Sequence, residues 1–200
     1  MSLPKPFYEE PGIVLYCGDC LEILPSLPKV DLVLTDPPYG IGIAANPVRQ
    51  MHEKSDWDNK APSEELFKML RLAGKEQIIW GGNYFPLPPS QGYLVWDKVQ
   101  PEDFSLAMCE QAWWSRKHPA KLYRLSVLSY RKDHPTQKPE KLMEWCISLA
   151  DNLQTILDPF CGSGTTLVAA KNLGRKAIGI ELEPKYCQIA VDRLRQEVLL

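Results

Sequence analysis

Residues 155–181 leave this chain few folds to choose from. Thr155-Ile156-Leu157-Asp158-Pro159-Phe160 is a short apolar run of strand character, and Cys161-Gly162-Ser163-Gly164-Thr165-Thr166 turns after it. A helical stretch, Leu167–Leu173, closes on Gly174, and Lys176-Ala177-Ile178-Gly179-Ile180-Glu181 supplies a second strand. This is a β-α-β unit, and strands joined that way lie parallel in a sheet covered by helices. Gly162 and Gly164 let backbone approach a ligand closely, and the helix start behind them is open to polar atoms. Glu181 ends the second strand, where an acid can grip a ribose diol. The pattern predicts an adenosyl or dinucleotide ligand. No lysine follows the glycines, which argues against a Walker-type phosphate loop.

Electrostatics chooses between the two ligands. The dinucleotide fingerprint wants a third glycine, and Leu167 occupies its place. Asp158 precedes the glycine turn, where a carboxylate would repel a pyrophosphate and would suit the cationic methionine end of S-adenosylmethionine. The expected cofactor is therefore S-adenosyl-L-methionine.

A second corner carries complementary chemistry. The apolar run Val30–Leu34, broken only by Asp31, stops at Thr35-Asp36-Pro37-Pro38-Tyr39-Gly40. Proline cannot donate to a sheet ladder, so the strand ends there, at the side of an open α/β sheet where ligands bind. Asp36 and the Pro37 carbonyl can each accept a hydrogen bond from one exocyclic amino group, and Tyr39 offers a face for a flat ring. Read alone, the same residues also suit a plain strand-ending turn with Tyr39 packed behind it.

The rest of the chain supplies context. Two hundred residues, 44% of them hydrophobic, suffice for one globular domain over 1–200 with a full core. No apolar run approaches the roughly 18 residues of a membrane span, and no signal-peptide pattern opens the sequence, so a cytoplasmic location without membrane contact is expected. Cys17 and Cys20 form a C-x-x-C, but no second pair completes a zinc site. Asp19 follows the short strand Ile13–Tyr16 and reads equally as a helix N-cap or as a ligand-facing acid. Trp57, among charges in the polar stretch 41–62, reads either as a cover for a bound base or as core packing.

Residues 116–141 hold eight Lys and Arg against two acids, a net +6 in a chain whose total is −2. Arg116, Lys117, Lys121, Arg124, Arg131 and Lys132, interleaved with Tyr123 and Tyr130, have the footprint of phosphate-backbone contact. A solvated hairpin is the plainer alternative.

Together, Asp36-Pro37-Pro38-Tyr39, His134-Pro135-Thr136-Gln137-Lys138-Pro139 and Asp158-Pro159-Phe160-Cys161-Gly162-Ser163-Gly164-Thr165-Thr166 resemble the amino-group DNA methyltransferases. Their order, catalytic motif first and cofactor motif last, is similar to the circularly permuted beta class. The resemblance implies an α/β, Rossmann-like methyltransferase fold: a mostly parallel seven-stranded sheet, one strand antiparallel, with helices on both faces. It implies that the strands of Asp36 and Asp158 are central neighbours. It gives Asp158, Pro159, Phe160, Gly162, Ser163, Gly164 and Thr165 to the cofactor pocket, Glu181 with Leu182 to the ribose end, and Asp19 to the adenine end. His134, Thr136 and Lys138 would close over the methionine end. Asp rather than Ser before Pro-Pro-Tyr favours adenine N6 over cytosine N4.

The implied reaction is direct methyl transfer to a base flipped out of double-stranded DNA, with Asp36, Pro37, Pro38 and Tyr39 catalytic. The family usually carries a sizeable target-recognition insertion, and here only about 116–133 is available. Recognition is then short and relaxed, or completed by a second copy or a partner subunit. The alternatives on the same scaffold are methylation of cytosine N4, of RNA or of a protein amide, and an inactive nucleic-acid-binding subunit.

Overall fold

Val30–Thr35 (β3) is buried at every position but Asp31, as a strand covered on both faces must be. It lies in the middle of one sheet in the computed structural model, which describes residues 3–40, 62–101, 107–130, 137–149 and 152–196. The other strands are β1 (Tyr8–Glu10), β2 (Ile13–Cys17), β4 (Gly74–Trp80), β5 (Gly92–Asp97), β6 (Cys109–Trp114), β7 (Lys121–Arg124), β8 (Thr155–Asp158) and β9 (Lys176–Glu181). Helices α1 (Cys20–Ile23), α2 (Glu64–Ala73), α3 (Glu140–Ser148), α4 (Thr165–Asn172) and α5 (Pro184–Arg195) connect them.

The strand order is β1-β2-β9-β8-β3-β4-β6-β5-β7. From β2 to β4 all neighbours are parallel, while β6 runs against both β4 and β5. Those seven strands are the sheet the motifs implied, including its single antiparallel member. The count of seven is corrected to nine among the described residues. Three-residue β1 pairs antiparallel with β2, and four-residue β7 pairs parallel with β5, so a short strand is added at each edge. Neither has the continuous apolar pattern of a buried strand, which is why both escape a hydrophobicity reading.

Alternation across the pleat divides the core. Leu32 and Leu34 face α3, α4 and α5 through Leu142, Cys146, Leu167 and Ala190, whereas Val33 faces Leu66, Phe67 and Leu70 of α2. Asp31 interrupts the apolar run because it stitches the lower rim. Its carboxylate accepts from the backbone N–H of Gln154 and Thr155 and from the Thr155 hydroxyl, at 2.8–3.1 Å, and pairs with Lys75 at 2.7 Å. Lys75 first, then these donors, hold its pKa well below the usual carboxylate range. The stitch fixes β3 beside β8, and with them the two motif corners.

Candidate active site

Parallel strands end on one rim, and here four neighbouring ends each deliver a carboxylate: Asp19 after β2, Glu181 on β9, Asp158 on β8 and Asp36 after β3. They line one cavity of about 230 Å³. Pro38, Lys138, Pro159, Phe160, Gly162, Ser163, Thr165 and Leu182 line it too, with Gln137, Met143 and Tyr186. The proline corner and the glycine turn, more than a hundred residues apart in sequence, thus share one opening. Pro37 is buried beneath it.

Glu181 is held for presentation. Its carboxylate accepts from the backbone N–H of Gly162 at 2.9 Å and of Glu183 at 2.8 Å, and burial raises its pKa. Asp19 Oδ1 caps α1 by accepting from the Leu21 N–H at 2.8 Å, and the residue lines the cavity. Asp158 is 3% exposed and accepts from the hydroxyls of Thr35 at 2.8 Å and Thr166 at 2.5 Å and from the Phe160 N–H at 3.1 Å. Burial lifts its pKa to about 6 against the pull of those donors.

The glycine turn is stapled from below by a residue the motif search passed over. Arg193 of α5, nearly buried, donates to the Ser163 carbonyl at 2.6 Å, the Ser163 hydroxyl at 2.9 Å and the Thr165 hydroxyl at 3.1 Å. Its other nitrogen pairs with Glu140 at 2.6 Å, two residues beyond Lys138. Gly164 is needed for a different reason from ligand approach: a Cβ there would lie 2.7 Å from that of Ala190 on α5.

At the proline corner, Oδ1 of Asp36 accepts from the Tyr39 hydroxyl at 2.7 Å, and Oδ2 pairs with the Lys138 ammonium at 2.5 Å. Lys138 also reaches Glu110 of β6 at 3.0 Å, and Glu110 pairs with Lys98 at 2.5 Å. Burial disfavours the Lys138 ammonium, yet Asp36 and Glu110 together hold its pKa well above the ordinary value. Glu110, with its side chain 25% exposed, is pulled down to about 2 by Lys138 and Lys98 against the opposing effect of burial. Tyr39 stacks on Tyr84 with ring centroids 4.9 Å apart and meets the Phe85 edge at 5.9 Å. Burial, reinforced by Asp36, raises its phenol pKa well above the usual value.

The basic block is divided. Arg116 lies beyond the far end of β6, at the rim opposite the cavity, where it pairs with Glu76 at 2.6 Å and donates to the Leu149 carbonyl. Lys117 follows it there. Lys121 and Arg124 lie on edge strand β7, whose Arg124 end is level with Asp97 at the cavity rim and pairs with it at 3.1 Å. Tyr123 stacks on Trp145 instead of standing free. Trp57, Arg131, Lys132, His134 and Thr136 lie outside the described residues. Glu110, Tyr84 and Arg193 were missed because their partners come from distant elements. Only the aromatic run around Glu110 and the Gly81-Gly82-Asn83-Tyr84 turn hinted at the first two.

A family model described as DNA methylase, covering N6 and N4 enzymes, matches residues 90–192. The chain belongs to the DNA methylase family. Type II methyltransferase M2.DpnII of Streptococcus pneumoniae is 30% identical to it, over 98% of this chain and 94% of the relative. The M1.HpyAVI–SAM complex superposes with a TM-score of 0.64 at 27% identity, covering 90% of this chain and 99% of that one. PvuII cytosine-N4-specific methyltransferase, at 20% identity, shares the fold with a TM-score of 0.69 over 98% of this chain. This DNA methylase uses S-adenosylmethionine, and the cavity's donor set fits it. Paired strand-end acids suit ribose hydroxyls, Phe160, Met143 and Tyr186 give apolar surface for a purine, and the local negative charge suits a sulfonium.

Proposed function

We propose that the protein methylates the exocyclic N6 of adenine in double-stranded DNA. The observation that carries this reading is the placement of Asp36, on its proline corner, in the same cavity as Glu181 and Asp158. S-adenosylmethionine supplies an electrophilic methyl group on a sulfonium. Asp19 and Glu181 would hold the adenosyl end, and Gly162, Ser163, Thr165 and Asp158 the methionine end, to which the motif carrying His134, Thr136 and Lys138 would contribute as well.

Asp36 and the Pro37 carbonyl accept from the two N–H groups of the target amine. That draws its lone pair out of the ring and aims it at the methyl carbon. Pro38 keeps the corner stiff, and Tyr39, backed by Tyr84 on one face, offers its other face to the flipped base. The proton released on transfer passes to Asp36, whose carboxylate already touches the nitrogen. Lys121 and Arg124, with Arg131, Lys132 and Trp57, are the candidates for contact with the DNA strand. Arg116, at the far rim, is better explained as an anchor of the β6–β7 connection, and Lys117 is exposed beside it. With so short a recognition segment, a second copy or a partner subunit completes the DNA contact.

Incubation of unmodified DNA with methyl-labelled S-adenosylmethionine, followed by nucleoside analysis, tests this directly. The expected label is in N6-methyladenine. Label in N4-methylcytosine would keep the enzyme class and refute the base, and label only in RNA or protein would refute the substrate.

A further inference from the structure

The Lys138 ammonium occupies the position that a methylatable amino nitrogen needs. Nζ lies 2.5 Å from Oδ2 of Asp36 and 3.3 Å from the Tyr39 oxygen, and Oδ1 of Asp36 already accepts from that hydroxyl. Each carboxylate oxygen of the catalytic corner therefore has a donor in the resting site. A base amino group that enters meets the Lys138 ammonium at Oδ2 and competes with it there.

An ammonium has three donors and no acceptor, and stripping it of partners in a buried place is strongly unfavourable. Lys138 is 6% exposed, so water cannot replace Asp36 for it. Glu110 can. Its carboxylate is 3.0 Å from the same Nζ and is anchored from behind by Lys98. Asp36, Lys138, Glu110 and Lys98 form a row of alternating charge, flanked by the rings of Tyr39 and Trp80, each 5.7 Å from Nζ. Because Nζ already reaches Glu110, yielding Asp36 requires a small shift along the row and no unpaired charge.

We infer that Lys138 stands in for the target amino group in the resting site, and that Glu110 is the positioning residue onto which it withdraws when the base takes Asp36. This rests on the amino-methyl transfer reading above. Glu110 does not line the cavity. It acts by making Lys138 displaceable, so its effect belongs in target binding and not in cofactor binding.

The test begins by locating modified bases in DNA treated with the parent protein, which yields a target duplex. A parent that methylates no DNA overturns the proposed reaction and this inference together. With the duplex in hand, its dissociation constant is measured with S-adenosylhomocysteine present, so that inactive variants can still be read. Glu110→Gln is expected to weaken duplex binding roughly tenfold while leaving S-adenosylhomocysteine affinity within about twofold. In a Lys138→Met background the same substitution should weaken nothing, since the occupant is gone. Glu110→Asp keeps the charge and the Lys98 pair, so it reads out even if the Gln variant fails to fold, with a smaller loss expected in the same direction. Equal weakening in both backgrounds, or a loss that falls on S-adenosylhomocysteine, would overturn the inference and leave the reaction standing.

Discussion

Gly81 and Tyr39 share a space that admits only one side chain. A Cβ on Gly81 would lie 2.2 Å from Cε1 of Tyr39, and the Gly81 backbone has φ of +70°. The turn after β4 is thus shaped to seat the ring that follows β3. Gly81→Ala is expected to push Tyr39 off its seat and to lower kcat/KM for DNA by at least about tenfold, with a stability loss on the order of 1–3 kcal/mol from the left-handed backbone. Calorimetry should show cofactor affinity unchanged. Parallel losses of both would place the effect on the whole rim instead.

Glu181 reaches the cavity with its carboxylate oriented by the Gly162 and Glu183 N–H groups. Glu181→Ala removes a charged acceptor for ribose hydroxyls and should weaken S-adenosylmethionine binding by roughly tenfold or more. Affinity for DNA should not change. Unaltered cofactor binding by titration calorimetry would remove Glu181 from the pocket's function.

Asp158 makes a pH prediction with a definite sign. Its folded pKa, about 6, is raised from an unfolded value of 3.8, mainly by burial. A raised acid favours the fold at low pH, and that advantage is lost as pH climbs through the folded pKa. Between pH 4 and 6 the parent should therefore lose about 2 kcal/mol that Asp158→Asn does not lose. Denaturant unfolding of both proteins across that range checks it, and parallel curves would refute the assignment.

Arg193 ties the glycine turn to Glu140 and, through it, to the segment bearing Lys138. Arg193→Met leaves a buried Ser163 carbonyl and a Glu140 carboxylate without their donor, and should cost about 3 kcal/mol by denaturant unfolding. Cofactor affinity should fall with it, because Ser163 and Thr165 lose their anchor. Arg193→Lys should recover part of both, since a point charge reaches one partner at a time.

The architecture was legible where pattern and chemistry are local. The β-α-β unit showed itself in Thr155–Glu181, and the proline corner ended β3 where Pro37 and Pro38 required. Asp31, a break in an apolar run, turned out to be the stitch between β3 and β8. Edge strands β1 and β7 were not legible, because three or four residues without alternation carry no periodic signal. The pairing of Glu110 and Arg193 with the motifs was hidden for another reason. Each is an ordinary charged residue in its own element, and only the fold gives it its partners. Net charge misled in part: Arg116 adds to the basic block, yet it is spent on Glu76 at the opposite rim.

Asp36 carries the whole account, and one pair of assays on Asp36→Ala tests it most directly. Methyl transfer from labelled S-adenosylmethionine to DNA is measured beside calorimetric binding of the same cofactor. The account predicts no transfer above background with cofactor affinity within about threefold of the parent, since the lost carboxylate orients the target amine and not the donor. Transfer at the parent's rate would contradict it.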